Sequence, residues 1–324
     1  MAAAPDGVLV GQPALDRLLD LLDLERVEED IFRGNSPAEP HQRVFGGQVA
    51  GQALVAAGRT VPAERQVHSL HAYFIRPGDP AVPIVYTVDR IRDGSSFTTR
   101  RVVAVQHGKA IFLLSASFQV PEVGMEHQSA MPAVPDPETL PTLGERLVRQ
   151  AGGPRGARLF TLPRPIDVRY VTPPPWEPRA EAMPDPRNLV WIRADGKLPD
   201  DPLVQVCALT FASDMTLLDS ALVAHGKSWQ DVFAASLDHA MWFHRPFRAD
   251  EWILYDSSSP AASSGRGLAL GRFFSRDGQH IATVVQEGLL RERRSERASA
   301  SEPESTVRRA ATSPSVARGG VKRR

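Results

Sequence analysis

The sequence predicts an α+β chain made of two copies of one unit, a buried helix followed by an antiparallel meander. Three observations predict it. The run Val44 to Val61, VFGGQVAGQALVAAGRTV, opens on paired glycines and continues through small and apolar residues with no proline and no charge before Arg59, which suits a buried helix. The segments VHSLHAYFIRP, PIVYTVDRIRDGSSFTTRRVVAVQHG and KAIFLLSASFQV follow it. They are rich in β-branched and aromatic residues and break at Gly78-Asp79, Asp93-Gly94 and His107-Gly108. The same order then recurs: VWIRAD, an apolar helix within PLVQVCALTFASD, SLDHAMWFHRPF, EWILYDSSSP, GRGLALGRFFSRDG and HIATVVQEGLLR. An offset of about 168 places His71-Ala72 on His239-Ala240 and Ser95-Ser96 on Ser263-Ser264, with Arg76-Pro77 near Arg245-Pro246 and Phe118-Gln119 near Val285-Gln286.

The remaining elements are read in chain order. Residues 13 to 32, PALDRLLDLLDLERVEEDIF, carry Leu15, Leu18, Leu19 and Leu22 at helical spacing with acidic residues opposite, and predict a docking helix. From about Pro121 to Pro202 the character changes: roughly half of the 28 prolines lie there, with one helix expected at LGERLVRQ. This reads as a linker leading into the first strands of the second unit. From about Glu292 the chain has few apolar residues and no periodicity, and about nine Lys or Arg face four Asp or Glu, so a solvated, disordered, basic tail is expected. The expected division is residues 1–122, a linker at 123–160, residues 161–291 and a tail at 292–324.

Bulk composition narrows the function classes. At 324 residues, 42% hydrophobic and 23% charged, the chain can bury two cores. Its formal net charge is zero and its pI about 7.2, so no global field favours nucleic acid or a membrane surface. No stretch approaches the roughly 18 apolar residues of a membrane span and no basic segment precedes an apolar run at the N-terminus, so a cytoplasmic protein is expected. The one cysteine, Cys207, sits in the apolar run LVQVCALTF and reads as a small core residue.

Longer strings carry a resemblance. FRGNSP, RVFGGQVAGQAL, VHSLHAYFIRPGDP, RDGSSFTTRRVVAVQHGK, SFQVPEVGMEHQ, VWIRADGKLPDD, LDHAMWFHRPF, WILYDSSSPAASSGRG and TVVQEGLLR, spread over about residues 14 to 291, resemble the TesB family of type II acyl-CoA thioesterases. That resemblance implies a double hotdog, two antiparallel sheets each wrapped around a central helix, and hydrolysis of fatty acyl-CoA to free acid and CoA. It carries the family's catalytic triad onto Asp214 in TFASDMTLLDSAL, Ser236 in AASLDHAMW, where some members have threonine, and Gln286 in TVVQEG. In these roles Asp214 is the base for a water oriented by Ser236 and Gln286, with no acyl-enzyme. The resemblance implies neither cofactor nor metal, a small acyl-CoA substrate as partner and a homo-oligomer.

Read without the family, the same residues have plainer roles. Asp214 caps the turn at MTLLD, Ser236 begins a strand and Gln286 pairs across a sheet. His239 and His244 are five apart on a strand, on opposite faces, and read as core or rim histidines rather than metal ligands. GRGLALG lacks a βαβ setting, and no G-x-S-x-G elbow exists. Gly46-Gly47 at a helix start suits close packing first and polarisation of a thioester carbonyl second. Arg43, Arg76, Arg100, Arg101 and Arg245 are candidates for the CoA phosphates. The rivals are a hotdog hydratase or dehydratase, which needs an Asp-His pair on one helix, and a non-catalytic acyl-CoA-binding protein.

Overall fold

The computed structural model describes residues 8–37, 43–150, 162–177 and 187–293; the basic tail lies outside the described residues from 294 onward. Helix α1 (Gln12–Leu22) buries Ala14, Leu15, Leu18 and Leu22. It is shorter than the sequence predicts. Residues Glu25–Glu28 (β1) and Ile31–Gly34 (β2) form a hairpin instead, turning at Asp30 with φ 63°. The acidic run offers Glu25 and Glu29 as like charges one helical turn apart, which opposes continuing the helix.

Helix α2 (Gly46–Gly58) is followed by β3 (Gln66–Phe74), β4 (Ile84–Asp93), β5 (Phe97–Gln106) and β6 (Lys109–Gln119). All residues of α2 from Gly47 to Ala57 are buried, including Gln48 and Gln52, whose amides are hydrogen-bonded. The connecting region holds a short 3₁₀ turn (Pro137–Thr139) and α3 (Leu143–Arg149), the latter closed by a capping box between Thr142 and Glu145. It is therefore partly structured: Trp191 and Trp252 donate their indole N–H groups to Pro135 O and Glu138, which fastens this stretch to strands of the second half.

The second half comprises β7 (Ile166–Tyr170), β8 (Arg187–Ala194), α4 (Pro202–Ser213), α5 (Asp219–Ala224), β9 (Val232–Ser236), β10 (Asp238–Phe243), β11 (Ile253–Ser263), β12 (Arg266–Ser275) and β13 (His280–Glu292). Among the described residues the strands make one antiparallel sheet in the order β1-β2-β4-β5-β6-β3-β10-β13-β12-β11-β8-β7, with β9 on β13. The two halves meet edge to edge at β3 and β10, where His71 pairs with Ala240 and Ala72 with His239. This removes a free edge from each half.

Helices α2 and α4 pack on one another inside the sheet, and glycine permits the approach. A Cβ on Gly47 would run into the carbonyl oxygen of Phe211, and one on Gly51 would lie 3.4 Å from that of Cys207. Cys207 is buried and burial pushes its thiol pKa upward, in keeping with a core residue. This α2–α4 contact brings the C-terminus of α4 against the N-terminus of α2.

Candidate active site

Asp214 is the residue that ends α4 and so projects its carboxylate at that junction. A Cβ on Gly46 would lie 2.5 Å from Asp214 Oδ2, so only glycine leaves room for the carboxylate at the head of α2. The site is completed by the sheet. Ser236 closes β9 and Gln286 lies mid-way along β13; because Gly288 pairs with Ser236, the two are diagonal neighbours on one face.

The three side chains meet. Gln286 Nε2 donates to Asp214 Oδ1 (2.9 Å) and to Ser236 Oγ (2.6 Å), and Ser236 Oγ donates to the same Asp214 Oδ1 (3.1 Å). Asp214 and Ser236 keep partial exposure, whereas Gln286 has none. The two partly accessible groups therefore face outward and the buried amide holds them from behind.

Electrostatics set the base. Burial raises the pKa of Asp214 above the ordinary carboxylate value. Charge on His239, the hydrogen bonds from Gln286 and Ser236, and the backbone N–H of Gly47 pull the other way without cancelling it. A carboxyl adjusted this way is a stronger base once ionised than a surface aspartate.

One residue that the sequence reading left as a plain core or rim histidine lies in the same cluster. His239 is buried at 1% exposure and its Nδ1 is 2.7 Å from Gln286 Oε1, while its Nε2 is 2.9 Å from Ser213 Oγ. Burial lowers its pKa and favours the neutral ring. β9 and β10 break at Leu237, Asp238 accepts the Glu287 N–H (2.7 Å), and the strand resumes with His239 facing inward. Among the described residues no group of three or more His, Cys, Asp or Glu is arranged to hold a metal ion. No helix of the described residues is long and apolar enough to cross a membrane.

Residues 180–289 match the acyl-CoA thioesterase family and residues 35–119 match the acyl-CoA thioesterase N-terminal domain. The chain is 44% identical over 281 residues to human acyl-coenzyme A thioesterase 8, covering 84% of this chain and 88% of that protein. It is 41% identical over 287 residues to acyl-CoA thioesterase 2 of Haemophilus influenzae, covering 86% and 98%. The crystal structure of the acyl-CoA thioesterase II TesB2 from Mycobacterium marinum superposes with a TM-score of 0.70 at 46% identity, over 89% of this chain and all of that one. The chain belongs to the TesB-type acyl-CoA thioesterases. It is an enzyme, a thioester hydrolase, with a double-hotdog α+β fold. A hot-dog protein of unknown function from Alicyclobacillus acidocaldarius, 21% identical, shares that fold at a TM-score of 0.69.

The arginine candidates separate in this thioesterase. Arg100 is 1% exposed and spends its guanidinium on Thr60, Asp93 and the carbonyls of Arg92 and Thr99, so it is structural rather than a free cation at a tunnel mouth. Arg101 pairs with Asp89 on the surface, Arg76 donates to Ala110 O, and Arg245 donates to His280 O and pairs with Glu126. Arg43 reaches Ala234 O in β9, the strand that Ser236 closes, and covers the Phe233 ring at 5.3 Å.

Proposed function

We propose that this chain hydrolyses fatty acyl-CoA to free carboxylate and CoA by direct attack of a water molecule, with Asp214 as general base and Ser236 and Gln286 as its orienting partners. The observation that supports this most is convergence. Three side chains from α4, β9 and β13, 22 and 72 residues from Asp214 in sequence, meet within hydrogen-bond distance at the one junction where a second helix begins.

The chemistry follows from their donor and acceptor capacities. A carboxylate accepts a proton from water; a hydroxyl both gives and takes; an amide N–H directs a lone pair. The water, placed between these groups, delivers its oxygen to the thioester carbonyl as its proton passes to Asp214. CoA leaves as the thiolate and is protonated. The N-terminus of α2, whose Gly47 N–H already binds Asp214, adds a positive dipole end where the carbonyl oxygen gains charge. The resemblance of the curated acyl-CoA thioesterases supports the substrate class.

The test is CoA release from acyl-CoAs of short to long chain by the purified protein beside Asp214→Asn, read with a thiol-reactive dye. Release by the wild type and loss of at least about 100-fold in the variant are expected. Equal rates from the two proteins would remove Asp214 as the base.

A further inference from the structure

Gln286 has a symmetric problem to solve. Its amide can sit in either of two orientations related by a flip of about 180°, and only one serves the site. With Nε2 toward Asp214 and Ser236 it donates twice; reversed, Oε1 would face the Asp214 carboxylate oxygen at 2.9 Å with no proton between them. Something must favour the first orientation even when the carboxyl becomes protonated during turnover, because a protonated Asp214 no longer repels Oε1.

The group behind the amide does this. His239 Nδ1 is 2.7 Å from Gln286 Oε1, which can only accept, so Nδ1 must carry the proton. In a neutral ring Nε2 is then an acceptor; Ser213 Oγ lies 2.9 Å from it and 2.8 Å from Thr210 O, and its one proton can serve either of them. Ser213 is the last residue of α4 and precedes Asp214; its carbonyl is fixed in turn by the Tyr255 hydroxyl at 2.9 Å. A closed path runs from the end of α4 through Ser213, His239 and Gln286 back to Asp214. Ser213, His239 and Gln286 are all at or below 1% exposure, so no bulk water competes along it.

We propose that His239 is a positioning residue for hydrolysis: with its Nδ1 proton donated to Oε1, it locks the Gln286 amide so that both amide protons point at Asp214 and Ser236. This rests on the reading of Asp214, Ser236 and Gln286 as the catalytic groups. His239 itself touches neither water nor substrate and acts only through Gln286.

Three variants test it. His239→Leu removes the donor while filling the space. His239→Asn returns an amide N–H at the position of Nδ1. His239→Leu is made a second time in a Gln286→Ala background. The expected result is a kcat lower by about 10- to 100-fold in His239→Leu, as for displaced catalytic groups, with KM within about twofold. His239→Asn should recover to within about threefold of wild type. In Gln286→Ala, measured under single turnover with excess enzyme, His239→Leu should change the rate by less than about twofold, because its only route of action is already gone.

Wild-type kcat in His239→Leu, or an equal loss from it with and without Gln286, would overturn the proposal. A merely structural role would lower the melting temperature and give no rescue by asparagine, and that pattern overturns it too. Should His239→Leu not fold, the cycle is run with His239→Ala, which also removes the Nδ1 donor; the same non-additivity with Gln286→Ala is expected, and additivity refutes. Asp214→Asn run alongside separates the two levels. An active Asp214→Asn sinks the catalytic reading itself, whereas an inactive one beside a silent His239→Leu sinks only the inference.

Discussion

Replacing Gly46 by alanine probes whether the base is held against the head of α2. The added methyl would lie 2.5 Å from Asp214 Oδ2 and 2.9 Å from the Phe74 ring. Ordinary contact begins near 3.4 Å, so the carboxylate must retreat by about 0.9 Å. Its Oδ1 bonds, 2.9 Å to Gln286 and 3.1 Å to Ser236, cannot absorb that, since Gln286 is anchored from behind by His239. A misplacement near 1 Å costs about 100-fold in rate. Overpacking costs about 1–3 kcal/mol and alanine's helix propensity returns up to about 1, which leaves a net loss of about 1–2 kcal/mol and a folded protein. Gly51→Ala is the control on the same helix: its methyl meets Leu22 at 3.1 Å and Cys207 O at 3.4 Å, away from the triad, and turnover should stay within a few-fold. CoA release and a thermal melt on both proteins decide. Wild-type turnover in Gly46→Ala, or matching losses in the two variants, would show that the carboxylate is not held there.

Other outcomes follow from the same geometry. Because burial lifts the Asp214 pKa above the ordinary 3.8 and the base works ionised, kcat should fall on the acid side with a midpoint above that value. Ser236→Ala removes a hydrogen bond that favours the ionised form, so in a pH–rate series that midpoint should move to higher pH as the maximal rate drops. A carboxyl whose folded pKa is raised contributes stability that is complete below its unfolded value and is lost as pH rises through the folded one. Melts of Asp214→Asn and wild type should therefore diverge in the variant's favour from about pH 4 upward, each tenfold in proton affinity being worth about 1.4 kcal/mol. A gap that closes with rising pH would contradict the raised value. Cys207 is buried and its thiol pKa is pushed far up, so iodoacetamide treatment of the native protein should leave turnover unchanged; inactivation would place the thiol in reach of the site.

The helix-then-meander unit and its repetition were legible because α2 and α4 are rich in small and apolar residues and free of charge, and the strands between them are separated by strong turn signals. The hairpin at residues 25–34 was not, since its acidic, alternating residues continue the composition of α1 and only the left-handed Asp30 marks the reversal. The triad residues came from family resemblance; spacing alone gave no reason to join a helix cap to two strands 22 and 72 residues away. His239 was hidden by phase. An offset of 168 lays it on His71, yet β3 and β10 pair symmetrically about His71 and Ala240, which makes 169 the structural offset. His71 is exposed and His239 is buried, as a one-residue difference in offset requires in a strand whose side chains alternate.

That corrected offset also explains why the duplicated scaffold carries one polar constellation in its second half and not a matching one in its first. Leu70 occupies the place of His239, and Ala116, paired with Leu70, occupies the place of Gln286. Arg59 caps α2 as Asp214 caps α4, but its guanidinium turns outward to Leu24 O and Asp23. Leu70 and Ala116 are at 0% and 1% exposure. A buried polar cluster is stable only when every member is satisfied, and each orphaned group costs about 1–3 kcal/mol. The first half avoids that cost by being apolar at these positions and contributes instead the head of α2, where two glycines admit the carboxylate of the other half. The proposed catalytic groups and the surface that receives them are thus supplied by different copies of the unit, and the α2–α4 contact that joins the copies is the same contact that assembles this cluster.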